Sequence, residues 1–232
     1  IILKECSLIF IALPLDQIIN PNPDLLKHLP KQAVISDVGS VKKPITENWT
    51  KLHPRFVGSH PMAGTHQAGV EAGHKGLFKN RPWVATPIQK TDLNALNLVK
   101  TIANQLNCKW IETQPDIHDQ AVALISHLPI FISATLLQTA SLEIDDSLVK
   151  LTKEISSSGF FDTTRVGGGN AKLAKAMAIN NKRNIINALK KYQSHLKRME
   201  EIISSEQFDE LEKELDITKN IRNSFLSINQ QN

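Results

Sequence analysis

The chain has 232 residues, of which 41% are hydrophobic, and a formal net charge of +4. That is enough apolar material for a buried core in one or two domains. The charge excess is modest, and in residues 150–197 the lysines are scattered, with few acids and few aromatics among them. This reads as solvated helix faces, not a nucleic-acid site, although a small positive balance suits anionic substrates and phosphorylated cofactors. Cys6 and Cys108 are the only cysteines and form no Cys-x-x-Cys, so a reducing, cytoplasmic setting is expected. The apolar run Leu8–Leu13 is too short to cross a membrane, and no basic segment precedes it, so neither a membrane anchor nor a signal peptide is expected. The chain opens on Ile-Ile, and it is expected to be part of a longer reading frame.

Taken in order, Ser7–Leu13 is a short continuous apolar run stopped by Pro14, the pattern of a buried parallel strand. A short helical turn over Asp24–His28 follows, then strands over Ala33–Asp37, Phe56–Gly58 and Pro82–Thr86. Asp92 is placed to cap a helix reaching about Asn107, with Leu93, Leu96, Val99, Ile102 and Leu106 on one face. A fifth strand covers Lys109–Thr113. Strands alternating with helices imply βαβ units and a mostly parallel sheet. Beyond Pro115 the strand signal stops. Asp116–Leu142 reads as one long helix kinked at Pro129, and helical patterns continue over 147–156, 171–178, 182–204 and 206–227. The fold class is therefore α/β: an incomplete Rossmann-type parallel sheet over 1–115, then an all-helical part over 116–232.

Two Gly-rich segments stand at strand ends, where open α/β sheets bind ligands: Ser36-Asp-Val-Gly-Ser-Val-Lys42 and Gly58-Ser-His-Pro-Met-Ala-Gly-Thr65. His60 can take a proton near neutral pH. Ser40 can orient an imidazole or bond a substrate hydroxyl, and it can equally cap the helix that begins near Lys43-Pro44. Lys42 reads as a surface lysine, and no acid is evident to orient His60. His118 opens the long helix, and His127 precedes Pro129 in it; a helix histidine is usually structural, but a proline kink often borders a site. Arg165 stands before three consecutive glycines, Gly167–Gly169. It can fork onto a carboxylate or pair on the surface with Asp162. The glycine run is no P-loop, because no Lys-Ser/Thr follows. The spacings of His53, His60, His66 and His74 fit no zinc pattern, so no metal is expected.

These segments, with Leu8-Ile-Phe-Ile-Ala-Leu-Pro14, His118-Asp-Gln-Ala-Val122, Ser126-His-Leu-Pro129 and Ser158–Asn170, resemble the prephenate/arogenate dehydrogenase family of tyrosine biosynthesis. The resemblance implies a nicotinamide-dependent oxidative decarboxylation of arogenate or prephenate. It implies His60 as acceptor of the ring-hydroxyl proton and Ser40 as the residue steering that histidine and the nicotinamide end. Arg165, His127 and Thr65 would bind substrate, and Leu13 and Pro14 would lie against the cofactor. The wording is closest to arogenate-type members that use NADP, with NAD as the other choice. A homodimer through the helices is implied, for which Ile185, Ile186, Leu189, Leu196 and Met199 supply an apolar stripe. His66 departs from members that carry an acid there, so feedback inhibition by tyrosine is not implied. The family's opening strand and G-x-G-x-x-G loop are absent from this sequence, a gap of roughly 60–70 residues for a β-α-β unit. Two other readings are a hydroxy-acid dehydrogenase and a non-catalytic helical dimerisation module. The first needs a lysine in the long helix, and 116–142 has none. His60, Ser40, His127 and Arg165 are expected to converge on one cleft.

Overall fold

The apolar run before Pro14 forms strand β1 (Leu8–Ile11), which pairs in parallel with β2 (Val34–Asp37). This computed structural model describes residues 2–64, 70–142 and 145–230. Strand β2 pairs in parallel with β3 (Phe56–Val57), and all four of its residues are buried. A second sheet has the order β4 (Ser59–Pro61), β5 (Pro82–Ala85), β6 (Lys109–Glu112). Its β5–β6 pair is parallel, but β4 runs antiparallel to β5 with His60 opposite Val84. The sheet is thus less uniformly parallel than the alternation of elements implies. Only Gly58 separates β3 from β4, so the chain continues in one direction while changing its strand partner. Glycine is needed there for space: a Cβ would lie 2.7 Å from the hydroxyls of both Thr46 and Thr86.

Helices cover the sheets. Short α1 (Leu15–Ile19) and α2 (Pro23–His28) lead to α3 (Lys43–Leu52). Trp49 of α3 stacks on Phe56 at a centroid distance of 5.3 Å and packs with Ile11, Ile18, Ile35 and Ile45 in one core cluster. The other cluster joins Val34, Val57, Trp83 and Ala85 to helix α4 (Leu93–Gln105). Asp92 caps α4 as expected, accepting the Ala95 N–H at 2.9 Å. Its buried face, however, is Ala95, Leu96, Val99 and Ala103, while Leu93 is 72% exposed. The stripe chosen by size was rotated from the true one, because the two alanines let α4 approach the sheet.

After β6 the chain is helical: α5 (Pro115–Val122), one π turn (Ala123–His127) and α6 (Leu128–Ser141), then α7 (Asp146–Ile155), α8 (Ser158–Thr164) and α9 (Ala171–Asn180). The expected irregularity at Pro129 is this π turn, just before the residue that cannot donate. It has a geometric effect. In a regular helix His118 and His127, nine residues apart, would face about 180° from each other. The extra residue of a π turn reduces that to about 80°. The run Pro115–Ser141 is also long and apolar enough to cross a membrane by length and composition. Its first turns, though, bury His118, Asp119 and His127, as a packed helix does.

None of Gly167, Gly168 or Gly169 has a positive φ, so backbone freedom is not why glycine stands there. At Gly167 the reason is contact: a Cβ would come within 2.4 Å of the Ala134 backbone nitrogen, and the Gly167 N–H donates to Ser133 Oγ at 2.8 Å. Ser133 Oγ donates in turn to the Thr163 carbonyl at 3.0 Å. Gly167→Ala should therefore destabilise by about 1–3 kcal/mol through overpacking against backbone that cannot swing away. Urea unfolding checks this, and an unchanged midpoint would contradict it.

The chain divides into two compact units, residues 1–185 and 186–232. The second comprises most of α10 (Lys182–Ser204) and all of α11 (Phe208–Gln230). Glu206 turns the chain between them at φ 57°, and Arg198 reaches Glu210 at 3.6 Å. Ile202 is buried, whereas Leu196, Ile203, Ile217, Ile221 and Phe225 are each at least half exposed.

Candidate active site

The two Gly-rich loops are joined by a buried ion pair. Asp37 ends β2, and its Oδ2 accepts the Gly39 N–H at 2.9 Å while its Oδ1 accepts the Ser59 N–H at 3.1 Å. Lys42 Nζ donates to the same carboxylate and, at 2.6 Å, to the Ser59 carbonyl. Both side chains are fully buried. Lys42 is thus no surface lysine. Burial lowers its pKa, and the adjacent Asp37 carboxylate opposes that shift. Ser59 Oγ donates to the Asp37 carbonyl at 2.8 Å, so the loop bearing Ser40 and the strand bearing His60 are one hydrogen-bonded unit.

A second network reaches the same histidine from α5. Asp119 accepts the Lys42 N–H at 2.6 Å and the Lys43 N–H at 2.9 Å. These are orphan donors at the start of α3, so Asp119, and not Ser40, supplies that cap. The same carboxylate meets His118 Nδ1 at 2.8 Å, and His118 Nε2 meets His60 Nδ1 at 2.9 Å. The network assigns the tautomers. Asp119 can only accept, so His118 carries its proton on Nδ1 and presents a lone pair from Nε2. His60 then donates from Nδ1, and its Nε2 is the nitrogen that can accept a proton. The acid expected to be missing is present, one residue removed, behind His118. Burial lowers the His60 pKa well below its ordinary value, and Lys42, His118 and His127 add to the shift in that order.

His127 is fully buried. Its Nδ1 lies 3.2 Å from Asn181 Nδ2, which also donates to the Asp119 carbonyl at 2.8 Å. Asn181 Oδ1 accepts from Asn184 Nδ2 at 2.8 Å, which fixes the amide orientation. With Nδ1 as acceptor, His127 carries its proton on Nε2, a buried atom with no partner among the described residues. Burial holds the His127 pKa down to about 4, so the ring is neutral at pH 7.

A cavity of about 440 Å³ adjoins these residues. Leu13, Pro14, Val38, Gly39 and Ser40 line one side, His60 to Gly64 another, and Ser126, Leu173 and Met177 of the helical part close it. Ser40 Oγ is buried with no partner among the described residues.

Two family descriptions account for nearly all of the chain: "Prephenate dehydrogenase, nucleotide-binding domain" matches residues 2–112, and "Prephenate dehydrogenase, dimerization domain" matches 114–217. The crystal structure of Synechocystis arogenate dehydrogenase is 38% identical, with a TM-score of 0.85 over 97% of this chain and 81% of that one. The chain belongs to the prephenate/arogenate dehydrogenase family. Prephenate dehydrogenase from A. aeolicus, solved with hydroxyphenyl propionate and NAD+, matches at TM-score 0.87 and 27% identity, over 94% of this chain and 76% of that one. Among curated proteins, Bacillus subtilis prephenate dehydrogenase is 29% identical over 90% of this chain. The chain spans 57% of that relative's length and 53% of the Lactococcus lactis one.

Within this family member, Ser40, Leu13, Pro14 and His60 meet at the cavity, whereas His127 is outside its lining and is joined through Asn181 to Asp119. Arg165 ends α8, exposed and outside the cavity lining. Thr65 and His66 lie outside the described residues. Asp119, Asn181 and Lys42 were not legible as site residues. The signal for the first was the His118-Asp119 doublet opening a helix, in a chain whose other candidate histidine lacked an acid.

Proposed function

We propose that the protein of which this chain is part catalyses the oxidative decarboxylation of arogenate, with prephenate as the alternative substrate, using NADP in preference to NAD. The observation that carries this reading is the acceptor nitrogen of His60, held by His118 and Asp119 at a cavity whose other wall is the Ser40 loop. Membership of the family supplies the reaction class.

The residues fit a nicotinamide. The buried Ser40 Oγ, without a partner among the described residues, and the apolar Leu13-Pro14 edge offer one polar anchor and one flat wall. When bound, the nicotinamide supplies the hydride acceptor. His60 Nε2 takes the proton of the ring hydroxyl as the carbon beneath it is oxidised, and loss of the ring carboxylate as CO2 leaves an aromatic ring whose phenolate oxygen takes that proton back. His127 offers its Nε2–H to an acceptor on the substrate, Arg165 binds a substrate carboxylate, and Thr65 contributes from the adjoining loop. Residues 1–115 serve the nucleotide and 116–232 the substrate and a homodimer, the protein working in the cytoplasm without metal, nucleic acid or membrane. The exposed apolar residues of α10 and α11 support the dimer.

The pyrophosphate in such folds sits on a Gly-rich loop at a helix N-terminus. This chain alone should therefore bind NADP weakly and turn over no arogenate, whereas the same chain preceded by the family's opening β-α-β unit should do both. Fluorescence titration and an absorbance assay with each substrate and cofactor pair test this. Tight NADP binding by the short chain would place the phosphate site elsewhere. Equal rates with all four pairs would remove the arogenate and NADP preference.

A further inference from the structure

We propose that His118 and Asp119 hold the proton that His60 removes: as His60 Nε2 takes the substrate proton, its Nδ1 proton passes to His118 Nε2, and both transfers reverse when loss of CO2 leaves a phenolate oxygen to be protonated. The inference rests on the reading of His60 as the base. The bonds balance. One N–H forms at His60 Nε2 as the substrate O–H breaks. One forms at His118 Nε2 as the His60 Nδ1–H breaks. The His118 Nδ1–H stays in its bond to Asp119. His60 is then neutral with its tautomer reversed, and His118 is an imidazolium against a carboxylate.

The geometry carries the step. The two contacts of the relay are 2.9 and 2.8 Å, both within hydrogen-bond range. His118 and Asp119 are 3% and 2% exposed, so no solvent competes for either bond. Asp119 cannot turn away, because it also holds the Lys42 and Lys43 N–H groups. The charges around the two rings set the direction. Burial, and after it the Lys42 ammonium, oppose a cation on His60. His118 faces His60 and His127 on one side but a carboxylate at bonding distance on the other. A proton left on His60 would sit in a buried site facing the Lys42 ammonium, and one moved to His118 is paired with Asp119.

The roles are separable. In the unmodified chain, imidazole nitrogen shifts measured by NMR should show the proton of His60 on Nδ1 and that of His118 on Nδ1, the tautomers that the relay needs. A proton on His60 Nε2 or on His118 Nε2 in the resting protein would overturn the proposal. In the complete enzyme, His118→Gln keeps an acceptor for His60 Nδ1 but cannot carry the proton onward. Its kcat should fall roughly 10²-fold, at the lower end of an acid–base contribution, with KM nearly unchanged. Near-normal turnover in His118→Gln beside a dead His60→Asn would overturn the relay and leave the base in place. Normal turnover in both would overturn the base reading too.

Discussion

In the complete enzyme, His60→Asn should lower kcat by roughly 10²–10⁴-fold, the range lost with a general base. Substrate affinity should change far less, because the substrate contacts proposed for Arg165 and His127 do not pass through His60. Asparagine retains a donor toward His118 and removes only the acceptor on the far side of the ring. The pH profile gives a second readout. The base must be neutral, and burial followed by Lys42, His118 and His127 holds its pKa well below 6.5. A lowered pKa keeps the base competent as pH falls, so the acid limb of kcat/KM should lie well below 6.5. An acid limb near 6.5, or a His60→Asn variant altered only in KM, would contradict this role.

Lys42→Met should destabilise the fold by about 3–5 kcal/mol, the usual cost of stripping one partner from a buried ion pair. Lys42 and Asp37 are both fully buried, and the ammonium also satisfies the Ser59 carbonyl. Asp37 would keep the Gly39 and Ser59 N–H groups but would hold a buried charge without its counterion. Adding Asp37→Asn should recover part of the loss, since a neutral amide leaves no charge to compensate. Urea unfolding of the two single variants and the double variant measures the coupling. A loss below about 1 kcal/mol in Lys42→Met, or strict additivity in the double variant, would show that the pair does not hold the two loops together. Any Lys42→Met protein that folds should also show the acid limb at higher pH, because removing the cation lets the His60 pKa rise.

Elements that announce themselves locally were legible. Strand β1 is an apolar run stopped by proline, and α4 and α9 begin on Asp92 and Asn170, whose side chains accept the next N–H groups. Their signals span a few residues and need no tertiary partner. What the sequence hid depends on pairs distant along the chain. Lys42 meets Asp37 only because the Gly39 turn folds back, and Asp119 meets Lys42 from 77 residues away. Nothing local marks a lysine for burial or an acid in a helix's first turn as the cap of another helix. The Gly167 contact with α6 was hidden for the same reason. His60 and Ser40 were legible because strand ends in α/β sheets carry their own prior. Asn181, an unremarkable residue between two helices, carried none.

The central claim is an oxidation coupled to loss of a carboxylate at the His60 site, and product stoichiometry tests it most directly. With the complete protein, saturating NADP and arogenate, reduced nucleotide, CO2 and tyrosine should form in equimolar amounts, and His60→Asn should suppress all three together. Reduced nucleotide without CO2 would instead identify a hydroxy-acid dehydrogenase. Failure to form any product from arogenate or prephenate, with either nucleotide bound, would contradict the account outright.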